Sequence, residues 1–466
     1  MRSATAARLF LLLLFASLPV MTGCSNFFIP VCQAYNTCTT STSAPTISSI
    51  SPTSGSSGTS VTITGANFTG ATAVTFGSTA ASSFTVVSST QITAVAPAGS
   101  GTVGVVVTTS VGASNSVSFT YGAASATASY IYVANQTAGT ITGLSLSSGT
   151  LSAIPGASYN LGTQPNALAT TPSGSLLYLA LQQSGSVYVY GVSGKGALTL
   201  GNSGQQVTST YLPTFMTTDR TGNWLFLVST SSPTLLEFQI NPSTGVLVPP
   251  PGNPSASVTL AGGTPTQVYI TPNNQFVFVG LGTGGVEIFA FNPSNGALSS
   301  SPLLMKSLNP NTNGDNAISS DANSQFLFVG ETGSGVRVFT IGSNGSLKEV
   351  AGSPFAMAGA PDAIAMDPTN TYVYVSNHTS NTILGYTLGA TGTLTPLSTS
   401  PFTVGTAPIA MSLDASGQYM LVASFGGGPD LQVFSFDTAS PGKLDAVTST
   451  ATGADPTGPI SMAVAP

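Results

Sequence analysis

The segment PDAIAMDPTNTYVYVSNHTSNTILGYTLGATGTL, Pro361 to Leu394, decides how the chain is read. An apolar strand leads into a turn, then YVYVSN, a polar loop, ILGYTL and a Gly-Thr-Leu exit. The pattern recurs along the chain. Its leading position falls at Pro165, Pro213, Pro265, Asp315, Pro361, Pro408 and Pro459, at intervals of 48, 52, 50, 46, 47 and 51 residues. Four short strands in a period near fifty predict the blade of a β-propeller.

The repeat array begins in the middle of a blade. SYIYVAN, Ser129 to Asn135, matches YVYVSN, and ITGLSL follows at Ile141 to Leu146, but no innermost strand precedes them. The missing strand reads as GPISMAVAP, Gly458 to Pro466. Six full copies and one split copy predict seven blades over 129–466. The C-terminal strand is expected to complete the first blade beside Tyr130 to Val133 and so remove the free sheet edges. Runs such as Phe276-Val277-Phe278-Val279 are apolar on consecutive positions, as strands packed on both faces require.

Composition agrees with an all-β chain. Only 5% of the 466 residues are charged, while 41% are hydrophobic. Disordered chains lack that apolar share. The formal charge is −6. Arg2 and Arg8 lie in a segment expected to be removed, which leaves six basic residues against fourteen acidic ones, about −8. No stretch gathers Lys and Arg, so neither nucleic acid nor an anionic membrane surface is an expected partner.

Residues 1–23 combine a basic start with the apolar run LFLLLLFASLPV, Leu9 to Val20. Twelve residues are too few to span a ~30 Å hydrocarbon core, so the run reads as a secretory signal. Met21-Thr22-Gly23-Cys24 resembles a bacterial lipobox, which implies diacylation of Cys24. An ordinary signal peptide with an incidental cysteine is the alternative. In a Gram-negative cell Ser25 would sort the protein to the outer membrane. Cys32 and Cys38 bracket five residues, and in an oxidising compartment a local disulfide is plausible. Residues 24–44 read as a Ser/Thr-rich tether.

Residues 45–122 form a separate unit. Alternation is clean at Val61-Thr62-Ile63 and Val74-Thr75-Phe76, with further strands at Phe84 to Val87, Gln91 to Val95, Val103 to Val107 and Val117 to Tyr121. Short strands at this density predict a β-sandwich. Ser51-Pro52 with Gly55 and Gly58, the VTITGANF run, AVTFG and VSFTY resemble an IPT/TIG domain, an immunoglobulin-like module. That family implies a spacer or binding module and no enzymatic activity. Residues 123–128 are a linker. The propeller copies in turn resemble the lactonase-type seven-bladed propellers and YVTN-repeat proteins. Tyr132 to Asn135, Tyr374 to Asn377, the exits Gly296-Ala297-Leu298 and Gly345-Ser346-Leu347, and Ser-Pro-Phe at 353–355 and 400–402 carry that likeness.

Propellers bind at the central mouth, on the face with the second-to-third strand loops and the connections between blades. Asn135, Gln136, Asn377 and Asp430 are the ligand-binding candidates there. If the chain is a lactonase, the catalytic candidates are His378, Glu331 and Arg337. His378 is the sole histidine, and its sequence neighbours include no carboxylate to orient it. Glu331 and Arg337 flank one hairpin and can pair locally. Asp219, Asp321, Asp367 and Asp414 recur in the first-to-second strand turn, which points to Asx turns. No cluster suggests a metal, and no motif suggests a cofactor.

Two functions follow. One is a monomeric, lipid-anchored binding or scaffold protein of the cell envelope that contacts an envelope protein or glycan. Poverty of catalytic groups favours it. The alternative, implied by the resemblance, is a lactone hydrolase of the 6-phosphogluconolactonase kind. Whichever holds, Cys24→Ala is expected to remove the acyl chains and release the protein from the membrane fraction. Wild-type protein without an acyl mass, and a variant that stays with the membrane, would refute the anchor.

Overall fold

A computed structural model describes residues 43–55, 59–97, 99, 101–121, 128–181, 183–208, 212–229, 231–253, 255–299, 303–305, 314–357, 359–453 and 458–466. Cys24, Cys32 and Cys38 lie outside these residues.

The first unit is a two-sheet sandwich. One sheet runs in the order Thr46–Ser51, Ser60–Ala66, Gln91–Val95, Ser83–Ser88. The other runs Thr79–Ala80, Ala71–Phe76, Gly101–Thr109, Gly112–Ala113, with Val117–Tyr121 also paired to Gly101–Thr109. Alternate residues face inward. Val61, Ile63, Val74 and Phe76 meet Val105, Val107 and Phe119 in one core. Phe119 stands edge-on to both Phe76 and Tyr121, at 5.2 and 5.1 Å between ring centres.

The second unit is a ring of seven antiparallel sheets. Blade one is split, as the sequence predicts. Pro459–Ala465 is its inner strand and pairs with Ser129–Asn135, which is followed by Thr140–Ser147 and Thr150–Asn160. The inner strands of blades two to seven are Pro165–Thr170, Phe215–Thr218, Gln267–Ile270, Asp315–Ser320, Ile364–Met366 and Pro408–Leu413. Each lies beside the next, and Pro459–Ala465 lies between the first and last of them. The second strands Leu176–Leu181, Trp224–Ser229, Phe276–Gly280 and Phe326–Glu331 are buried along their whole length. Both faces of each are covered by neighbouring blades, hence the unbroken apolar runs.

Two repeated contacts join the blades. The first uses the glycine of each Gly-X-Leu exit. Gly196, Gly245, Gly296, Gly345, Gly392 and Gly442 all adopt positive φ, which only glycine tolerates at little cost. A Cβ at Gly296 would sit 2.3 Å from Trp224, and one at Gly442 2.8 Å from Tyr372, so the missing side chain makes room for the preceding blade. The hydroxyls of Tyr132, Tyr178 and Tyr374 donate to the carbonyls of Gly196, Gly245 and Gly442 on the next blade. The second contact is at the recurrent aspartates. Asp219 Oδ1 accepts the N–H groups of Asn223 and Trp224, and Asp321 Oδ1 those of Gln325 and Phe326. Their second oxygens accept Asn274 Nδ2 and Asn370 Nδ2 from the following blade. Ser129 Oγ reaches Asp414 in the same way at the split blade. The Asx turn therefore also pins neighbouring blades.

One buried acid has no such role. Glu237 in Ser232–Ile240 is 2% exposed, and its Oε1 has no hydrogen-bond partner among the described residues. Burial pushes its carboxyl up from 4.5 to about 8. The folded state thus holds this proton more tightly than the unfolded chain. Its stabilising share is complete below about pH 4 and is lost as pH rises to about 8. Melting temperature is expected to fall across that window, by the equivalent of a few kcal/mol, and to fall less in Glu237→Gln. Identical pH profiles would refute the assignment. Deleting residues 458–466 is expected to lower the melting temperature far more than any surface substitution, which changes stability by about 0.5 kcal/mol. A truncated chain that melts like the intact one would refute the ring closure.

Candidate active site at the mouth

A bulge recurs at the mouth end of four of the inner strands. In blade seven Pro408 pairs with Ser424 and Ala410 with Ala423, which leaves Ile409 as the extra residue. Ile460, Asn166 and Asn316 are the extra residues of blades one, two and five. A bulge frees one residue from the ladder and re-aims it. In blade six the same position is Asp362. There the Ser376 hydroxyl accepts the N–H groups of Asp362 and Ala363, at 3.3 and 2.8 Å, and fixes the turn.

Asp362, just ahead of the inner strand Ile364–Met366, meets His378 here. His378 follows the second strand Tyr372–Asn377, and its N–H bonds to the Ala360 carbonyl. Its Nδ1 lies 2.7 Å from Asp362 Oδ2. The imidazole is 43% exposed and the carboxylate 25%, so the pair reaches solvent while its carboxylate is partly shielded. Burial pushes the Asp362 carboxyl up, and the hydrogen bond and charge of His378 pull it back down. With Asp362 ionised, Nδ1 carries the proton and donates to it, which leaves the Nε2 lone pair to accept a proton from water. The sequence reading found no carboxylate for His378. The structure supplies one from sixteen residues earlier, across the first hairpin of the blade. The signal available in sequence was the aligned position after each leading residue, where Asp362 is an acid.

The other candidates are occupied by the fold. Arg337 is buried and pairs with Glu331 and Glu349, each at 2.6 Å, and Ser353 Oγ also donates to Glu349. The two carboxylates raise the guanidinium further above its ordinary value, against the effect of burial. Neither Glu331 nor Arg337 touches the His378–Asp362 pair in any recorded bond. Asn135 and Asp430, read as ligand-binding, are 0% and 6% exposed and share Thr452 as a partner. Thr452 donates its hydroxyl to Asn135 Oδ1 and its N–H to Asp430 Oδ2. They tie blade one to blade seven. Asn377 Oδ1 accepts the N–H groups of Thr379 and Ser380 and shapes the loop that carries His378. Gln136 donates to Asn166, whose amide donates to the Pro213 carbonyl, a chain of bonds along the mouth.

A cleft of about 670 Å³ lies elsewhere, between the outer strands of blades one and seven. Leu151, Ile154, Ser158 and Thr448 help to line it, and no titratable side chain does. Among the described residues no group of three or more His, Cys, Asp or Glu is placed to hold a metal ion.

The family model for the lactonase, 7-bladed beta-propeller, matches residues 88–210, 150–258 and 261–460. The IPT/TIG domain model matches residues 45–121. No curated protein matches the chain. Among solved structures, a candidate 6-phosphogluconolactonase from Bacteroides fragilis is 19% identical, covering 74% of this chain and 99% of that one, with a TM-score of 0.60. Another from Bacteroides uniformis is 16% identical, over 72% and 99% of the two chains, with a TM-score of 0.58. The periplasmic gluconolactonase of Pseudomonas aeruginosa is 18% identical, over 73% and 99%, with a TM-score of 0.57. At these identities the likeness is one of fold. The lactonase matches together span most of the sequence, and the seven sheets close through a split first blade: the chain belongs to the lactonase family of seven-bladed β-propellers, carried behind an IPT/TIG domain.

Proposed function

We propose that the propeller hydrolyses an uncharged lactone at its mouth, with His378 as general base and Asp362 as the carboxylate that orients it. The 2.7 Å contact between His378 Nδ1 and Asp362 carries this reading. Water attacks the lactone carbonyl while Nε2 takes its proton. The tetrahedral intermediate then collapses, the ring C–O bond breaks, and the imidazolium returns the proton to the departing alkoxide. The product is the open hydroxy acid. Asp362 holds the ring in the tautomer that makes Nε2 basic and stabilises the imidazolium that forms. Membership of the lactonase family, and relatives described as gluconolactonases, support the reaction class.

We read the substrate as uncharged because, among the described residues, the cations lie elsewhere; Lys306 is outside them. Arg337 is enclosed by two carboxylates. Arg220 donates to the Ile270 carbonyl from a first-to-second strand turn, and Lys443 pairs with Asp437 and Asp445 in a third-to-fourth strand turn. Both turns lie at the end of the blades opposite the mouth. Among the described residues, a phosphorylated lactone would meet none of these cations as the charged donors that phosphate recognition uses. The binding-protein reading rested on the expected anchor, the spacer and the poverty of catalytic groups, and the Asp362 carboxylate beside His378 weakens the last of these. The lipid anchor expected at Cys24 would place the activity at the cell envelope, with the IPT/TIG domain as spacer.

The test is hydrolysis by the purified chain of a panel from glucono-δ-lactone to simple aliphatic lactones. Loss of a general base lowers turnover by about 10²–10⁴-fold, and His378→Ala is expected to fall in that range. Asp362→Asn is expected to fall less, because it leaves the imidazole in place. Full turnover by His378→Ala, or no turnover of any lactone by the wild type, would return the propeller to a binding role.

A further inference from the structure

We infer that Ser376 is a positioning residue, whose buried hydroxyl holds Asp362 in place against His378. Its effect on turnover rests on the hydrolase reading and deepens it; its effect on the imidazole does not depend on that reading.

Ser376 stands in blade six where Ala134, Ala180, Val228, Gly280, Gly330 and Ala423 stand in the other blades. All seven lie near the mouth end of a second strand. Each pairs with a branched apolar residue of the third strand, in blade order Ile141, Val187, Leu235, Val286, Val336, Ile383 and Leu431. Only blade six has a polar side chain at this place, and blade six carries the dyad. On the inner side, the other six pair with Ser461, Ala167, Phe215, Gln267, Ala317 and Ala410. In blade six the ladder ends one step short, at the Ile364–Val375 pair. The Ser376 hydroxyl takes over beyond it, accepting the N–H groups of Ala363 and Asp362 at 2.8 and 3.3 Å.

These bonds bear on the dyad more than on the blade. Ser376 is fully buried. Its own N–H bonds to the Ala363 carbonyl, and the His378 N–H bonds to the Ala360 carbonyl. Those two main-chain bonds join residues 360–363 to the end of the second strand whatever side chain stands at 376. Asp362 lies between them, and its N–H goes to the hydroxyl. Removing the hydroxyl leaves two N–H groups in need of other acceptors. A backbone that turns to find them carries the Asp362 carboxylate with it. The contact of Oδ2 with His378 Nδ1 is 2.7 Å. A shift of about 1 Å takes it beyond hydrogen-bond range, and misplacement of that size costs about 10²-fold in rate. The carboxylate then no longer fixes the proton on Nδ1, and the base loses its preferred tautomer.

His378 is the sole histidine, so nitrogen NMR of the imidazole in the full chain reads this pair alone. In the wild type the neutral ring is expected as the Nδ1–H tautomer. Ser376→Ala gives blade six the side chain of Ala134, Ala180 and Ala423, so the fold is expected to persist, and the melting temperature checks it. The ring is expected to change to the Nε2–H tautomer in this variant. On glucono-δ-lactone kcat is expected to fall about 10- to 10²-fold with KM little changed, the sign of an interaction lost from the transition state. Should Ser376→Ala melt far below the wild type, Ser376→Cys decides. It nearly keeps the size of the side chain but offers only a weak acceptor, and the same change of tautomer is expected. A folded variant that keeps the Nδ1–H tautomer overturns the inference, whatever its turnover. A changed tautomer with undiminished kcat overturns the part Ser376 plays in turnover. A changed tautomer in a chain whose wild type hydrolyses no lactone upholds the positioning of Asp362 and removes the hydrolase reading.

Discussion

The ladder between Ser129–Asn135 and Pro459–Ala465 is the contact on which the rest of the propeller depends. It joins segments more than three hundred residues apart and turns a row of sheets into a ring. Without it, blades one and seven would each present a bare edge or face to water. With it, every inner strand has a neighbour on both sides. Side-chain bonds cross the closure as well. Ser461 Oγ accepts the Leu168 N–H, Thr170 donates to Val464, and Thr452 links Asn135 to Asp430. The closing strand is thereby held in register by blade two as well as by its ladder with blade one.

Blade packing is settled largely away from the mouth. Exit glycines receive the aromatic side chains of the preceding blade, and turn aspartates are pinned by the following one. Both devices sit at the end of the blades opposite the His378–Asp362 pair. The mouth end instead carries bulges in blades one, two, five and seven, which interrupt the ladder and set one residue of each free of it. Bulge residues can therefore vary in chemistry without disturbing the ring. Here they are two isoleucines and two asparagines. A scarcity of charge sharpens the contrast. Most described carboxylates serve turns or ion pairs, and Glu237 is buried with an oxygen left unbonded.

Much of the fold was legible in the chain. Strand periodicity, turn residues and the fifty-residue spacing determined the blades and their number. The missing first strand and the surplus last one determined the closure. Gly-X-Leu exits and recurrent aspartates were visible as a repeat, although only the packing explains why the glycines cannot carry side chains. These features are local, or are copied from blade to blade, so one sequence window contains what fixes them.

The site was not legible in the same way. His378 stood out as the sole histidine, but its partner lies sixteen residues away, across a hairpin, where the Ser376 hydroxyl accepts the N–H groups of Asp362 and Ala363. Asn135 and Asp430 had the composition of ligand-binding residues, and the tertiary structure uses them as cement between the first and last blades. Sequence by itself determined the architecture, because a repeat writes its own periodicity into the chain. Tertiary structure alone decided which polar groups reach solvent together. That choice depends on where distant blades meet and on which side chains a hairpin brings together at its ends, and neither leaves a mark in the local pattern.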